Sequence, residues 1–213
     1  MKNIILVGPP GSGKGTQAKK LSEKLNLPVF STGDILRNEI ENKTQIGQKV
    51  DKIVKSGDLV GDKLISKIVF SQLEKKGSDF ILDGFPRNKK QAKALVRFFK
   101  QKNWPAILIN FSLPDEIAIE RISGRRTCRC GRSYHIKYNL PKIEGICDEC
   151  GQELKRRDDE DPEVVKERLK VYHQQTEPLI NYINKQKKIE IKYLEIDANK
   201  SIKEIHNDII SKL

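Results

Sequence analysis

The chain has 213 residues, enough for one large domain or two small ones with a sizeable core. Hydrophobic residues make up 37% and charged residues 33%, which excludes a disordered or membrane-embedded polymer. Lys and Arg number 41 against 29 Asp and Glu, a net charge of +12 that suits a polyanionic or phosphate-bearing partner. Thirty of the cations are Lys, several in pairs on helix faces read as exposed (Lys19-Lys20, Lys75-Lys76, Lys89-Lys90, Lys187-Lys188), so much of that charge is solubilising. The 11 arginines say more, because a planar guanidinium is used where geometry matters.

The first apolar run, Ile4 to Val7, meets Gly-Pro-Pro-Gly at once. It is too short for a signal segment or a membrane span, so a cytoplasmic protein is expected. Asn3–Val7 reads as a buried strand, and Lys14–Leu25 as a helix with Ala18, Leu21 and Leu25 on one face. Pro28–Ser31 is a short strand ending at the helix-start signal Thr32-Gly33-Asp34, where Asp34 is read as a cap. Asp62 is expected to cap a helix running to Lys75, and Phe80–Asp83 is a buried strand ending in a carboxylate. Asn88–Gln101 reads as a helix, Ala106–Phe111 as a strand, and Pro114–Ile122 as a helix with Pro in its first turn. Glu163–Asn184 has helical spacing with a bend expected at Pro178, Lys192–Ile196 is a last strand, and Ser201–Leu213 a closing helix.

Strands alternating with helices imply right-handed crossovers and a parallel sheet covered on both faces, an α/β fold with five strands. Two stretches break the rhythm. Residues 31–60 carry helix signals but no strand long enough for the sheet, and residues 124–160 are rich in Cys, Arg, Gly and Tyr with little aliphatic periodicity. Both read as insertions, leaving 1–30, 61–123 and 161–213 as the core.

Between the first strand and helix lies Gly8-Pro9-Pro10-Gly11-Ser12-Gly13-Lys14-Gly15-Thr16. Glycines let successive N–H groups converge on one centre, the helix N-terminus adds positive potential, and Lys14 can reach outer phosphates. The strict pattern has Ser or Thr directly after the Lys; here Gly15 intervenes and the hydroxyl comes at Thr16. A phosphate loop names a nucleotide and leaves the reaction open.

Further motifs join the loop: Ser31-Thr32-Gly33-Asp34-Ile35-Leu36-Arg37, Leu82-Asp83-Gly84-Phe85-Pro86-Arg87, Arg121-Ile122-Ser123-Gly124-Arg125-Arg126, and the separate Arg157 and Arg168. Together they resemble the adenylate kinases of the long, lid-bearing bacterial type, over essentially the whole chain. Gly15 is itself a feature of that family. The resemblance implies a P-loop nucleoside monophosphate kinase fold, in which 31–60 is an AMP-binding flap and 124–160 a lid. The implied reaction is MgATP + AMP ⇌ 2 ADP, serving adenine nucleotide homeostasis.

By the same resemblance, Gly11, Ser12, Gly13, Lys14, Gly15 and Thr16 hold ATP phosphates. Arg121 walls the adenine, Arg125, Ser133 and Tyr134 are lid contacts to ATP, and Lys200 meets the base through its backbone. Thr32, Arg37, Gly84, Phe85, Pro86, Arg87 and Gln91 match the AMP site, with Asp58, Leu59 and Val60 lining its base pocket. Arg157 and Arg168 match arginines that bridge both nucleotides. Lys14, Arg87, Arg125, Arg157 and Arg168 are the expected catalytic set, and the partners are ATP, AMP and ADP. Neither nucleic acid nor membrane is expected, and the chain is expected to be a monomer.

The charges point the same way. ATP and AMP bring roughly six negative charges, reduced to about four by one Mg²⁺. Phosphoryl transfer through a loose transition state needs alignment and charge dispersal more than a general base. No catalytic role therefore falls to His135, His173 or His206. Asp83, ending a buried strand beside the loop, is the candidate to hold Mg²⁺ directly or through water, the alternative being a cap or an ion pair.

All four cysteines, Cys128, Cys130, Cys147 and Cys150, fall in 124–160. So short a segment needs a staple, and in a cytoplasmic chain structural zinc is favoured over disulfides. Cys147 and Cys150 have the usual two-residue spacing, but Cys128 and Cys130 are separated by Arg129 alone, whereas zinc-bearing relatives have two residues there. Cys130 is the safer ligand of that pair; Cys128 either reaches through a strained loop or yields to His135 or water, and a metal-free reduced lid is the alternative. Competing functions are a kinase for UMP or CMP, a zinc-ribbon nucleic-acid-binding module, and a structural nucleotide-binding switch.

Overall fold

The computed structural model describes residues 2–186 and 189–213; the expected exposed pair Lys187-Lys188 lies outside them. In chain order the elements begin with β1 (Asn3–Val7), α1 (Lys14–Leu25), β2 (Val29–Ser31), α2 (Thr32–Glu41), α3 (Gln45–Lys55) and α4 (Asp62–Lys76). Next come β3 (Phe80–Asp83), α5 (Lys89–Lys102), β4 (Ala106–Ser112), α6 (Asp115–Ser123), β5 (Arg125–Thr127) and β6 (Ser133–His135). The chain ends with α7 (Pro162–Val171), α8 (Glu177–Asn184), β7 (Ile191–Asp197) and α9 (Ile202–Lys212).

Five strands form one parallel sheet in the order β2-β3-β1-β4-β7, the expected P-loop kinase architecture. All five residues of β1 are buried, as a central parallel strand covered on both faces requires. Alternate residues serve opposite cores. Ile5, Val7, Phe80, Leu82, Ala106 and Leu108 join the core beneath α4, α5 and α8. Ile4, Leu6, Ile81, Ile109 and Phe111 join the other, with α1 and α9. On the first face Trp104 packs against Phe80, Phe98 and Phe99 at ring-centroid distances of 5.8, 5.7 and 5.9 Å.

Strand order places the site. The chain lays β2 and β3 on one side of β1 and β4 and β7 on the other, so the C-terminal end of β1 opens into the crevice where open α/β sheets bind ligands. Register brings Asp83 beside Leu6 of β1 and Ser31 of β2, at the mouth of the phosphate loop.

Local chemistry moves several boundaries. Ser31, not Asp34, caps α2, its hydroxyl accepting from the Asp34 N–H at 3.3 Å. Gly61 precedes α4 at the cap position, and Asp62 stands in the first turn. Pro114 caps α6 from outside. The expected bend at Pro178 is a π turn over Tyr172–Thr176, in which the Glu177 N–H reaches back to the Tyr172 carbonyl. Pro178 lacks the donor that a regular α-helix needs at this point.

Both insertions hold more structure than their periodicity suggested. Residues 31–60 contain α2 and α3, packed so closely that a side chain at Gly47 would collide with the Glu39 carbonyl. Residues 124–160 contain the β5–β6 hairpin and a 3₁₀ turn at Asp158–Glu160. The same stretch carries its own small core of Cys128, Tyr134, Cys147 and Leu154.

Candidate active site

The phosphate loop joins β1 to α1 as expected. Gly8, Gly11 and Gly13 take φ of 147°, 80° and 82°, values a side chain resists, and the Ser12 hydroxyl donates to the Pro9 carbonyl at 2.8 Å. No side chain caps α1, so its first N–H groups face the loop. Lys14 Nζ donates to the carbonyls of Gly8 (2.8 Å) and Pro9 (2.7 Å) and to Ser12 Oγ (3.2 Å). The ammonium thus sits at the centre of the loop. Burial lowers its pKa to about 7; Asp83 opposes the shift, while Arg87, Arg168 and Arg125 add to it. Burial likewise raises Asp83, against the attraction of Lys14 and Arg87.

Opposite the loop, contacts distant in sequence fix one wall. Gly84, at φ 80°, lets its carbonyl accept from Thr32 Oγ1 and from Arg87 Nε, both at 2.8 Å. A Cβ on Gly84 would come within 2.6 Å of that hydroxyl. Gln91 accepts from the Arg87 N–H at 2.8 Å and donates to Asp62 at 2.9 Å, and Asn88 donates to the same Asp62 oxygen at 2.7 Å. The Thr176 hydroxyl, in the π turn, donates to the Arg87 carbonyl at 2.7 Å. Asp62, Thr176, Asp159 and Glu160 were not expected as site residues. Only Asp62 carried a local signal, and it read as a cap.

Thr32, Arg37, Asp58, Leu59, Val60, Gly84, Arg87 and Gln91 line one small cavity of about 60 Å³. It adjoins a cleft of about 1260 Å³ bounded by the phosphate loop. Of the expected segment Gly84 to Arg87, Pro86 borders the large cleft, but the Phe85 side chain is wholly buried, edge-to-face against Phe70. Only the Phe85 backbone can serve a ligand.

Lys14, Arg37, Arg87, Arg121, Arg125, Arg157 and Arg168 all line the large cleft. Their present partners are few. Arg125 pairs with the fully buried Glu160 at 2.5 Å, Arg168 with Asp159 at 3.0 Å, and Arg37 with Asp34 at 2.5 Å. Arg157 lies 3.8 Å from Glu160. Burial lowers both Arg157 and Arg168 to about 10, and neighbouring arginines push the same way. Such a cluster of desolvated, mutually repelling cations is stabilised by an incoming polyanion.

At the far end Arg121 donates to the carbonyls of Ala198 (2.7 Å) and Lys200 (3.3 Å), fixing the loop after β7. Lys200 turns its ammonium away to Asp208 at 2.7 Å and keeps its backbone at the cleft. Gln17, fully buried, donates to the carbonyl of Ile202 at the start of α9 at 2.9 Å. Ser133 lines the cleft. Tyr134 also reaches it, yet its hydroxyl belongs to the small core of residues 124–160, accepting from the Asp148 N–H at 2.9 Å and lying 3.7 Å from Cys147 Sγ.

The four cysteine sulfurs lie within 4.8 Å of one another, so the shortened Cys128–Cys130 spacing does not keep Cys128 out. Cys128 Sγ is 3.3 Å from Cys150 Sγ, and Cys130 Sγ is 3.6 Å from Cys147 Sγ. Four convergent sulfurs are a donor set suited to a tetrahedral thiophilic ion. Backbone N–H groups and the Tyr134 hydroxyl pull the Cys147 thiol down against the effect of its own burial, favouring the ligand form.

A phosphate loop at a sheet switch point, facing a second pocket across converging arginines, defines a nucleotide phosphotransferase of the nucleoside monophosphate kinase class. The family model described as adenylate kinase matches residues 6–188. The adenylate kinase of Methanothrix thermoacetophila is 49% identical over 186 residues, covering 86% of each chain. That of Clostridium tetani is 46% identical over 217 aligned positions, covering 99% of this chain and 98% of its own. The adenylate kinase of Lachnospira eligens is 48% identical over 183 residues. The chain belongs to the adenylate kinase family, and its reaction is transfer of a phosphoryl group from ATP to AMP, giving two ADP. The fold, family and reaction expected from the sequence are borne out. Among the described residues, no helix is long and apolar enough to cross a membrane.

Proposed function

We propose that the large cleft takes ATP on the phosphate loop and the small cavity takes AMP. The γ-phosphoryl then passes between them among Lys14, Arg87, Arg125, Arg157 and Arg168. The carrying observation is that these five cations converge on one cleft with few carboxylate partners. Gly11 to Thr16 supply backbone donors and the helix end to the ATP phosphates. Arg121 and the Lys200 backbone flank its adenine, and Ser133 and Tyr134 meet it from the lid. Thr32, Arg37, Gly84, Phe85, Pro86, Arg87 and Gln91 seat AMP, with Asp58, Leu59 and Val60 around its base.

The chemistry asks for no proton acceptor. Fixed guanidiniums hold the two phosphate ends in line and disperse charge as the transferred group loosens from its donor. Asp62 acts through Gln91, and Thr176 through Arg87, by fixing those groups before substrate arrives. Asp83, against Gly15 at the head of α1, would hold the Mg²⁺ that enters with ATP, directly or through water. When bound, that ion screens phosphate charge.

Residues 31–60 and 124–160 act as flap and lid that close over the substrates, keeping water from the phosphoryl group. The four cysteines hold a structural zinc with no part in catalysis; the convergence of their sulfurs supports this. A cytoplasmic monomer maintaining the adenine nucleotide balance completes the reading. The test is ADP formation from MgATP with AMP, UMP, CMP and GMP as parallel acceptors. AMP should lead clearly, and equal or better use of UMP or CMP would overturn the assignment of the small cavity.

A further inference from the structure

The tip of the lid touches the flap directly. Arg129 Nε lies 2.8 Å from Glu41 Oε1, with side-chain exposures of 71% and 47%. Arg129 is the single residue between Cys128 and Cys130, in a tight turn closed by the Gly131 N–H to the Cys128 carbonyl. Lys19 of α1 donates to the Gly131 carbonyl of the same turn. Arg132 is matched within the lid by Glu149 at 2.9 Å, whereas the one acid that Arg129 meets among the described residues is on the flap.

The flap side supplies the reason for the pairing. Glu41 ends α2, whose last turn carries Glu39 and Glu41 and no basic residue. Two carboxylates at the negative end of a helix dipole repel it and each other. Glu39 is engaged by the Thr44 hydroxyl, while Glu41 has no cation on its own insertion. Among the described residues Arg129 is the one cation within ion-pairing distance of Glu41. Its guanidinium offsets negative charge at the C-terminal end of α2.

We infer that Arg129 and Glu41 are a positioning pair for the transfer reaction, an ion pair from lid tip to flap that favours the closed cleft. This rests on reading 31–60 and 124–160 as mobile covers. An exposed pair is modest and salt-screened, so it tunes closure and does not drive it. By joining the two covers to each other, it makes closure over one nucleotide favour closure over the other.

The test uses the full chain and a dinucleoside pentaphosphate carrying two adenosines, which spans both pockets. At about 20 mM salt, Arg129→Glu and Glu41→Arg should each weaken its binding roughly three- to ten-fold, shrinking to less than about two-fold at about 500 mM. The swap R129E/E41R should return to within about two-fold of the parent. KM for ATP and AMP should rise in the single variants without a fall in kcat, as expected when a closed state is lost and the transferring groups stay intact. Parental affinity in either single variant at low salt overturns the pairing, as does a swap no better than the two singles combined. Small-angle scattering of the parent with and without the compound separates the two levels. No compaction would remove the mobile covers and the latch together, whereas compaction with indifferent variants removes the latch alone.

Discussion

Lys14 shows what burial does to a single cation in this site. Its ammonium sits among carbonyls in a desolvated loop, and its pKa of about 7 contrasts with about 10.4 for a free lysine. A phosphate chain beside it restores the charged form. Between pH 7 and 10 nucleotide binding should therefore take up protons. Titration calorimetry near pH 8 in buffers of different ionisation enthalpy should show that uptake, and Lys14→Met should lack it. The same variant should lose roughly 10³-fold or more in turnover while keeping its fold. Arg87→Lys should cost roughly 10- to 100-fold despite conserving charge, because the Nε–H to the Gly84 carbonyl and the planar fork are lost. Parental turnover in the lysine variant would mean that Arg87 does not grip a phosphate.

Elements decide which side chains meet, and here the sequence was unevenly legible. The phosphate loop could be read because its residues act within nine consecutive positions between a strand and a helix. Thr32, Arg87 and Gln91 could be placed through a resemblance of whole motifs. What holds them could not: Asp62 meets Gln91 across 29 positions and Thr176 meets Arg87 across 89, and no local pattern records such contacts. The π turn was half legible, since Pro178 signalled an irregularity without its form. Strands of three residues, such as β5 and β6, are too short to show alternation.

Two predictions belong to this scale. His173, within the π turn, ties it to its neighbours, with Glu177 at 2.9 Å from Nδ1 and Asp115 of α6 at 3.0 Å from Nε2. The hydrogen bond to Glu177, helped by Asp115, raises the His173 pKa. Its stabilisation is full below the unfolded-state value of about 6.5 and disappears as pH climbs through the raised folded value. His173→Gln should flatten the pH dependence of melting in that window; an unchanged profile would remove the tie. In the lid, Cys147→Ala should lower thermal stability far more than turnover at low temperature, with loss of about one zinc per chain by elemental analysis. A parent containing no zinc under reducing conditions would contradict the metal.

Over the whole molecule, one parallel sheet fixes the phosphate loop, Asp83 and the Ser31 end of β2 at a common edge. Residues 31–60 bring in Arg37, residues 124–160 bring in Arg125 and Arg157, and α6 and α7 bring in Arg121 and Arg168. Burial in this arrangement depresses the pKa values of Lys14, Arg87, Arg157 and Arg168, a cost that bound phosphates offset. The measurement that tests this most directly is a crystal structure with the two-adenosine pentaphosphate bound. One adenosine should lie by Arg121 and the loop after β7 and the other in the cavity of Thr32 and Gln91. Lys14, Arg87, Arg125, Arg157 and Arg168 should be within hydrogen-bonding distance of the phosphate chain. Guanidiniums of that set turned to solvent, with the phosphates held elsewhere, would contradict it.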